Sequence, residues 1–411
     1  MKKKIFALLG AALMTAALAA CGRELPVETA EPTAPAPVEA EIPYQPETEA
    51  KQYEGAQLRL LTPLWDTDPE AQVLLQAAEV FHGLTGAEVQ IIWAADPASG
   101  VGGCDIVHVE TGNLRDGLLV DALDLEQMAQ AAGYDEKSFE ALRNQVTQRC
   151  GYLAGIPMIP EVGGIYYVRD AFSAAGIGTV PGTWTEFLNT CQTLKNGGFE
   201  PLALNNQDAA LAAYLHLERN LGADAVKTEE DKGKYAADEA HVTAAQQLVD
   251  FVAGGNVLTA EYPGGQNKLA LSNAAMTVGT NTLCAQVEEG TFTDLSWGMF
   301  PWPGEGGGSG SYIRSEVLSV SRGSEHPQAA FDFILLLCTG EFDQLRVDIT
   351  GGIPADPANE SAVSGAKEAL LAAGSFDGTL PEGMDTEVLT KLWAGKYKTG
   401  EQFAKAWDKS R

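Results

Sequence analysis

The sequence predicts an α/β protein built as two lobes, and three observations carry that prediction. Short β-rich runs alternate with helical stretches twice along the chain, once from Gln57 and again from Gly164. The 411 residues are enough for two or three cores of ordinary size, and 45% hydrophobic content is that of a globular chain. The first 54 residues lack this alternation, so folding is expected to begin near Gly55.

Taken in order, Lys2, Lys3 and Lys4 form a positive start, and Ile5 to Ala20 is an apolar run too short to span a bilayer comfortably. Residues 1–20 therefore read as a cleavable export signal. The run ends in Leu18-Ala19-Ala20-Cys21, which resembles the bacterial lipobox; that resemblance implies a lipidated Cys21 as the mature N-terminus. A plain secretory signal ending near a cysteine is the alternative. Residues 21–54 hold six prolines and eight glutamates with few large apolar side chains, so they cannot offset the entropy of ordering and read as a tether.

Gln57 to Leu61 has strand character. A helix starting near Pro69 follows, with Val73, Ala77, Val80, Phe81 and Leu84 on one stripe and Gly86 at its end. Glu88 to Trp93 and Asp105 to Val109 read as further strands. The second series runs through Gly164 to Val168, helices at 184–195 and 209–221, and the strand Ala274 to Val278. Val317 to Val320 is a strand, and Ser324 is placed to cap a helix over 327–338 whose Ala330, Phe333, Ile334 and Leu337 share a face.

The net charge of -29 argues against nucleic acid as a partner, because phosphate recognition needs clustered Lys and Arg. It mildly favours a neutral or cationic small molecule. After Cys21, the cysteines 104, 150, 191, 284 and 338 are odd in number and lack C-x-x-C spacing; buried thiols are the expectation, with one disulfide left open. The five histidines contain no i, i+4 pair, and the glycines of 304–310 contain neither a P-loop lysine nor a G-x-S-x-G elbow. No metal or cofactor is expected.

Between Tyr152 and Lys195 stand Gly155-Ile156-Pro157, Ile165 to Asp170, Ala175-Gly176-Ile177 and Pro181-Gly182-Thr183-Trp184-Thr185-Glu186-Phe187. Farther on come Ala275-Met276 before Gly279, Pro301 to Pro303, Ala329-Ala330-Phe331 and Gly351 to Ala355. In this order they resemble the extracellular solute-binding proteins of family 1, the maltose-binding-like receptors, from about Gln57 to the C-terminus. The resemblance implies a periplasmic-binding-protein-like type II fold, two α/β lobes joined by crossing strands. Ligand would be held between lobe I (55–160 plus about 311–346) and lobe II (about 161–310 plus 347–411). It further implies a monomer without enzymatic activity, anchored outside the cell, that delivers a carbohydrate to separate ABC permease and ATPase subunits by hinge closure.

A saccharide offers apolar faces and hydroxyls, so its site needs aromatics for stacking and carboxylates or amides for paired hydrogen bonds. Trp65 and Asp66 follow the first strand, where α/β sheets present loops to ligands; Asp66 or Thr67 could equally cap the next helix. Glu110, Thr111 and Asn113 follow the strand at Asp105, where the resemblance implies cleft residues, and Glu161 lies on the segment between lobes, where a solvated loop acid is the alternative. Asn281 stands where many relatives carry a stacking Trp, with Trp302 as a candidate replacement; Tyr312 and Arg314 follow the glycine-rich loop. Trp184, Trp297 and Trp393 are expected in cores. The missing aromatic at 281 keeps a polyamine, organic cation or small peptide-like solute open as ligand. A surface adhesin or sensor and an exported glycosidase are the other readings.

Overall fold

The computed structural model describes residues 51–94, 103–111, 122–204, 206–222, 235–259, 273–282, 296–306, 308–373 and 386–409. The expected signal, Cys21, nearly all of the tether and Asn113 lie outside them. Residues Pro46–Arg411 form one compact unit.

The chain enters through Tyr53, whose ring stacks on Phe81 and whose hydroxyl donates to Asp332 at 2.5 Å. Strand β1 (Gln57–Thr62) leads to α1 (Pro69–Thr85) and then β2 (Glu88–Trp93), which lies parallel to β1. Proline at the first turn starts α1, and Gly86 at φ 81° closes it in the left-handed conformation that glycine adopts freely. Of the predicted stripe, Val73, Ala77 and Phe81 are buried, Val80 is half-buried and Leu84 is 51% exposed; Leu74, outside that stripe, is buried as well. The N-cap position belongs to Asp68 rather than Asp66 or Thr67, and its carboxylate takes the Trp65 N–H (2.8 Å) instead of the helix donors.

β3 (Ile106–Glu110) joins β1 in parallel. Helices α2 (Glu126–Ala131) and α3 (Glu140–Cys150) precede the 13-residue β4 (Ile156–Val168), longer than the Gly164–Val168 run predicted. Next come α4 (Arg169–Ala175), α5 (Trp184–Gly197), β5 (Glu200–Leu204), α6 (Asn206–Leu221), α7 (Glu239–Ala253), β6 (Val257–Thr259), β7 (Ala274–Gly279) and β8 (Trp297–Phe300). Thr183 and Glu186 form a reciprocal capping box at the start of α5. β9 (Tyr312–Val320) also starts earlier than predicted. It is followed by α8 (Pro327–Cys338), α9 (Gly340–Thr350), α10 (Ala366–Ala372), α11 (Thr386–Trp393) and α12 (Gly400–Lys409). Ser324 does not cap α8. Its hydroxyl accepts from His326 N–H and donates to Asp105 (2.6 Å), tying the helix start to the edge of β3.

Among the described residues the strands run β2-β1-β3-β9-β4-β7-β5-β6, with β8 on β4. β4 is the common member: its first part, 156–163, pairs antiparallel with β9, and its second, 164–168, lies between β7 and β8. One large core draws on β4 from Val162 onward, β5, β7, α5, α6, α7 and α11, and contains none of the buried residues of β1–β3, α1 or α8. α8 and α9 instead pack on α1. Residue 346 falls inside α9, and Phe139 and Leu142 pack in the large core.

The cysteines 104, 191 and 338 are buried free thiols and Cys150 is a half-buried one; Cys284 lies outside the described residues. Trp184, Trp297 and Trp393 are buried, as expected of core residues.

Candidate functional site

Pairing register decides which side chains share a face, because directly opposed residues point the same way and residues two apart along a strand do too. Glu110 opposes Glu316, and Glu316 opposes Ile159 across the irregularity in β4. Glu161 opposes Arg314, and Gly163 opposes Tyr312. His108 lies two before Glu110, and Thr62 of β1 bonds to it (2.8 Å). One face of β1-β3-β9-β4 thus carries a row of polar side chains: Thr62, His108, Glu110, Glu316, Arg314 and Glu161. The row runs along the C-terminal ends of the parallel strands β1 and β3, then along the two strands that lead toward the second half of the sheet.

Exposure is graded along it. His108 and Thr62 are wholly buried, Glu316 and Glu161 half-buried, and Glu110 and Arg314 exposed. The electrostatics show that these groups sense one another. Burial pushes the Glu161 carboxyl above its ordinary range; Arg314 opposes this, and repulsion from Glu316 and Glu110 adds to it. Burial also acts on Glu316, but contact with and attraction to His108, together with Arg346, outweigh it and hold that carboxyl below its ordinary range. Glu70, in the first turn of α1, is raised by burial and by Glu316 and Asp68, against Arg346. Arg346 itself is buried on α9, bound to Asp343 and to the Ile353 carbonyl, both at 2.7 Å.

The residues singled out from sequence fall into four groups. Glu110, Glu161 and Arg314 stand together in the polar row. Tyr312 belongs to it structurally: its ring lies flat on Gly163, where an added Cβ would come within 1.8 Å of the ring, and the Arg314 guanidinium sits 5.5 Å from the ring centroid. Trp65 (62% exposed) and Asp66 stand on the loop beyond β1, at the same sheet end as Glu110. Asn113 lies outside the described residues.

Two residues have other work. Trp302 is fully buried in the large core, packed with Trp184 and Phe187, and its Nε1–H donates to His216 Nδ1 at 3.1 Å. A ring with no exposed surface cannot stack on a solute, so the expected replacement aromatic is a core residue. Asn281 is also buried, and both ends of its amide are spent on β4: Oδ1 accepts from Val162 N–H (3.1 Å), and Nδ2 donates to the Pro160 carbonyl (3.4 Å). It extends the β7 ladder past Gly164 with a side chain in place of backbone and grips the segment carrying Glu161. The glycine-rich loop lies against the end of α6. Glu218 accepts from Ser309 N–H (3.0 Å) and Gly310 N–H (2.9 Å), and Cβ atoms at Gly306 or Gly308 would strike the α6 backbone within 2.2 Å.

Glu70, His108, Glu316 and Arg346 were not singled out from sequence. The strand pattern placed His108 and Glu316 within reach of each other only once β3 and β9 were known to pair. Among the described residues no group of three or more His, Cys, Asp or Glu is arranged to hold a metal ion.

Comparison with solved structures places this architecture. The apo form of RafE from Streptococcus pneumoniae aligns over 89% of this chain and 98% of its own, with a TM-score of 0.66 at 15% identity. The sugar-binding protein MalE from Xanthomonas citri aligns over 86% and 97%, with a TM-score of 0.65 at 14% identity. The GacH receptor of Streptomyces glaucescens, solved unliganded and with acarbose, aligns over 86% and 98%, with a TM-score of 0.59 at 19% identity. No curated protein sequence matches the chain. The fold is the mixed α/β, type II periplasmic-binding-protein fold. The sequence profile described as bacterial extracellular solute-binding protein matches residues 98–337, more than half of the chain, and the protein belongs to that family.

Proposed function

We propose that the protein is a lipid-anchored receptor that takes up a mono- or oligosaccharide outside the cell and delivers it to separate ABC permease and ATPase subunits. The observation that carries this reading is the polar row where β9 pairs with β4, with carboxylates and a guanidinium on adjacent strands at the edge of the large core. Carboxylates accept paired hydrogen bonds from vicinal hydroxyls, and exposed Trp65 at the same sheet end offers a stacking face. In this reading Glu110, Glu161, Arg314, Trp65 and Asp66 contact solute. The lobes meet at the β4–β9 crossing, and a solute touching both stabilises the closed form. Solved relatives that bind acarbose or chitin oligosaccharide support the saccharide class. Cys21 and the proline-rich segment would hold the receptor at the outer membrane face.

The crowding of Glu110, Glu161 and Glu316 favours a second ligand class, a polyamine or other organic cation. Titrating maltose, chitobiose, xylobiose and spermidine into the soluble protein, with tryptophan fluorescence and melting temperature as readouts, separates the two. A saccharide that raises the melting temperature supports the first reading. A response to spermidine alone supports the second, and no response to any saccharide removes the first.

A further inference from the structure

His108 is buried without any exposed surface, and each of its ring nitrogens lies close to a polar side-chain atom. Thr62 Oγ1 lies 2.8 Å from Nδ1, and the Glu316 carboxylate lies 2.7 Å from Nε2, with 31% of the Glu316 side chain exposed. Burying an imidazole costs free energy unless it is paired, and here the pairing leads from the interior to a surface. The three residues sit on the adjacent strands β1, β3 and β9, so the carboxylate is fixed from behind by the sheet and not by a loop. Glu110 is directly opposite Glu316, and like charges in that relation destabilise a sheet. An arrangement serving stability alone would not place two acids there with a third, Glu161, within electrostatic reach.

We propose that Glu316 is a solute-contacting carboxylate of the receptor and that His108, backed by Thr62, is the residue that positions it. The inference rests on the reading of the chain as a saccharide receptor and adds to that site a contact and a support from behind. Sheet-borne groups locked by a buried partner hold their geometry better than loop groups, which suits Glu316 to discriminate the orientation of a pair of hydroxyls. Trp65 and Asp66, on the loop beyond β1, would then supply the adaptable contacts around it.

The test uses the soluble protein and calorimetry with maltose, chitobiose and xylobiose. Glu316→Gln keeps the shape but removes the charge, and is expected to weaken binding of whichever saccharide the native protein takes by about ten- to a hundredfold. His108→Phe should cost a comparable factor, and His108→Gln, which retains a donor toward Glu316, should recover part of it. Glu88→Gln, at the exposed first residue of β2, should leave affinity unchanged. A merely structural role would lower the melting temperature of the His108 variants while leaving affinity at 25 °C intact. Binding by Glu316→Gln within twofold of native overturns the inference, whereas a native protein that binds none of the three sugars overturns the saccharide reading instead. A ligand-free arm decides the positioning link in either case. The imidazole ¹⁵N resonance of His108 Nε2 should move in Glu316→Gln, and an unmoved resonance refutes the link.

Discussion

Acidification should loosen the large core through a single histidine. His216 on α6 is fully buried, its ring edge-on to Trp184 at 4.6 Å. Nε2 lies 3.0 Å from the Ala244 carbonyl, to which it donates, and Nδ1 accepts from Trp302. This pairing admits only the neutral ring: a proton on Nδ1 would set two donors against each other. Burial accordingly lowers the His216 pKa from 6.5 to about 3, against the partial support of Ala244 and Gln247. The unfolded chain takes up this proton below about pH 6.5 and the folded chain does not until about pH 3. The stabilisation is therefore complete above the unfolded value and is lost as pH falls toward the folded one. Integrating between the two gives a loss of about 2 kcal/mol by pH 5 and about 3 kcal/mol by pH 4. Urea unfolding followed by tryptophan fluorescence at pH 7.5, 6, 5 and 4 would measure it, in the native protein and in His216→Asn, whose amide oxygen keeps an acceptor for Trp302. The native protein should lose more stability than the variant over this range by about those amounts. Parallel pH profiles, differing by less than about 0.5 kcal/mol at pH 5, would refute the assignment.

Three further outcomes follow from the crossing region. Asn281→Ala removes two hydrogen bonds to β4 and should cost about 1–3 kcal/mol in urea unfolding, with faster hydrogen exchange at the Val162 amide. Gly163→Ala drives a Cβ into the Tyr312 ring and should destabilise by about 1–3 kcal/mol or more, but by well under that in a Tyr312→Ala background, a coupling read by a double-mutant cycle. Burial disfavours the charged form of Glu161 relative to the unfolded chain, so what the group contributes is present below the ordinary carboxylate range and lost as pH rises through its raised value. Glu161→Gln should therefore gain stability relative to the native protein as pH climbs from 4 to 7, seen as a rising difference in melting temperature.

The sequence by itself determined the alternation of strands and helices and the places of α1, α5, α6, α8, β1, β2, β3 and β7, but not the length of β4 and β9. Periodicity located α1 and α8 because each buries one stripe, and short apolar runs bounded by turn residues located β1, β2 and β7. Family membership was legible in the collinear motifs from Gly155 to Ala355. What tertiary structure decided was the use of each polar or aromatic side chain. Trp302 and Asn281 carry the residue types expected of a ligand site, yet one is spent on His216 and the other on the backbone of β4, and no local pattern distinguishes these fates. Conversely, His108 and Glu316 lie more than 200 residues apart and become partners only because β3 and β9 are adjacent strands in register. Strand order and register are set by packing across the whole sheet, which is why the polar row, unlike the strands that carry it, could be read only from the fold.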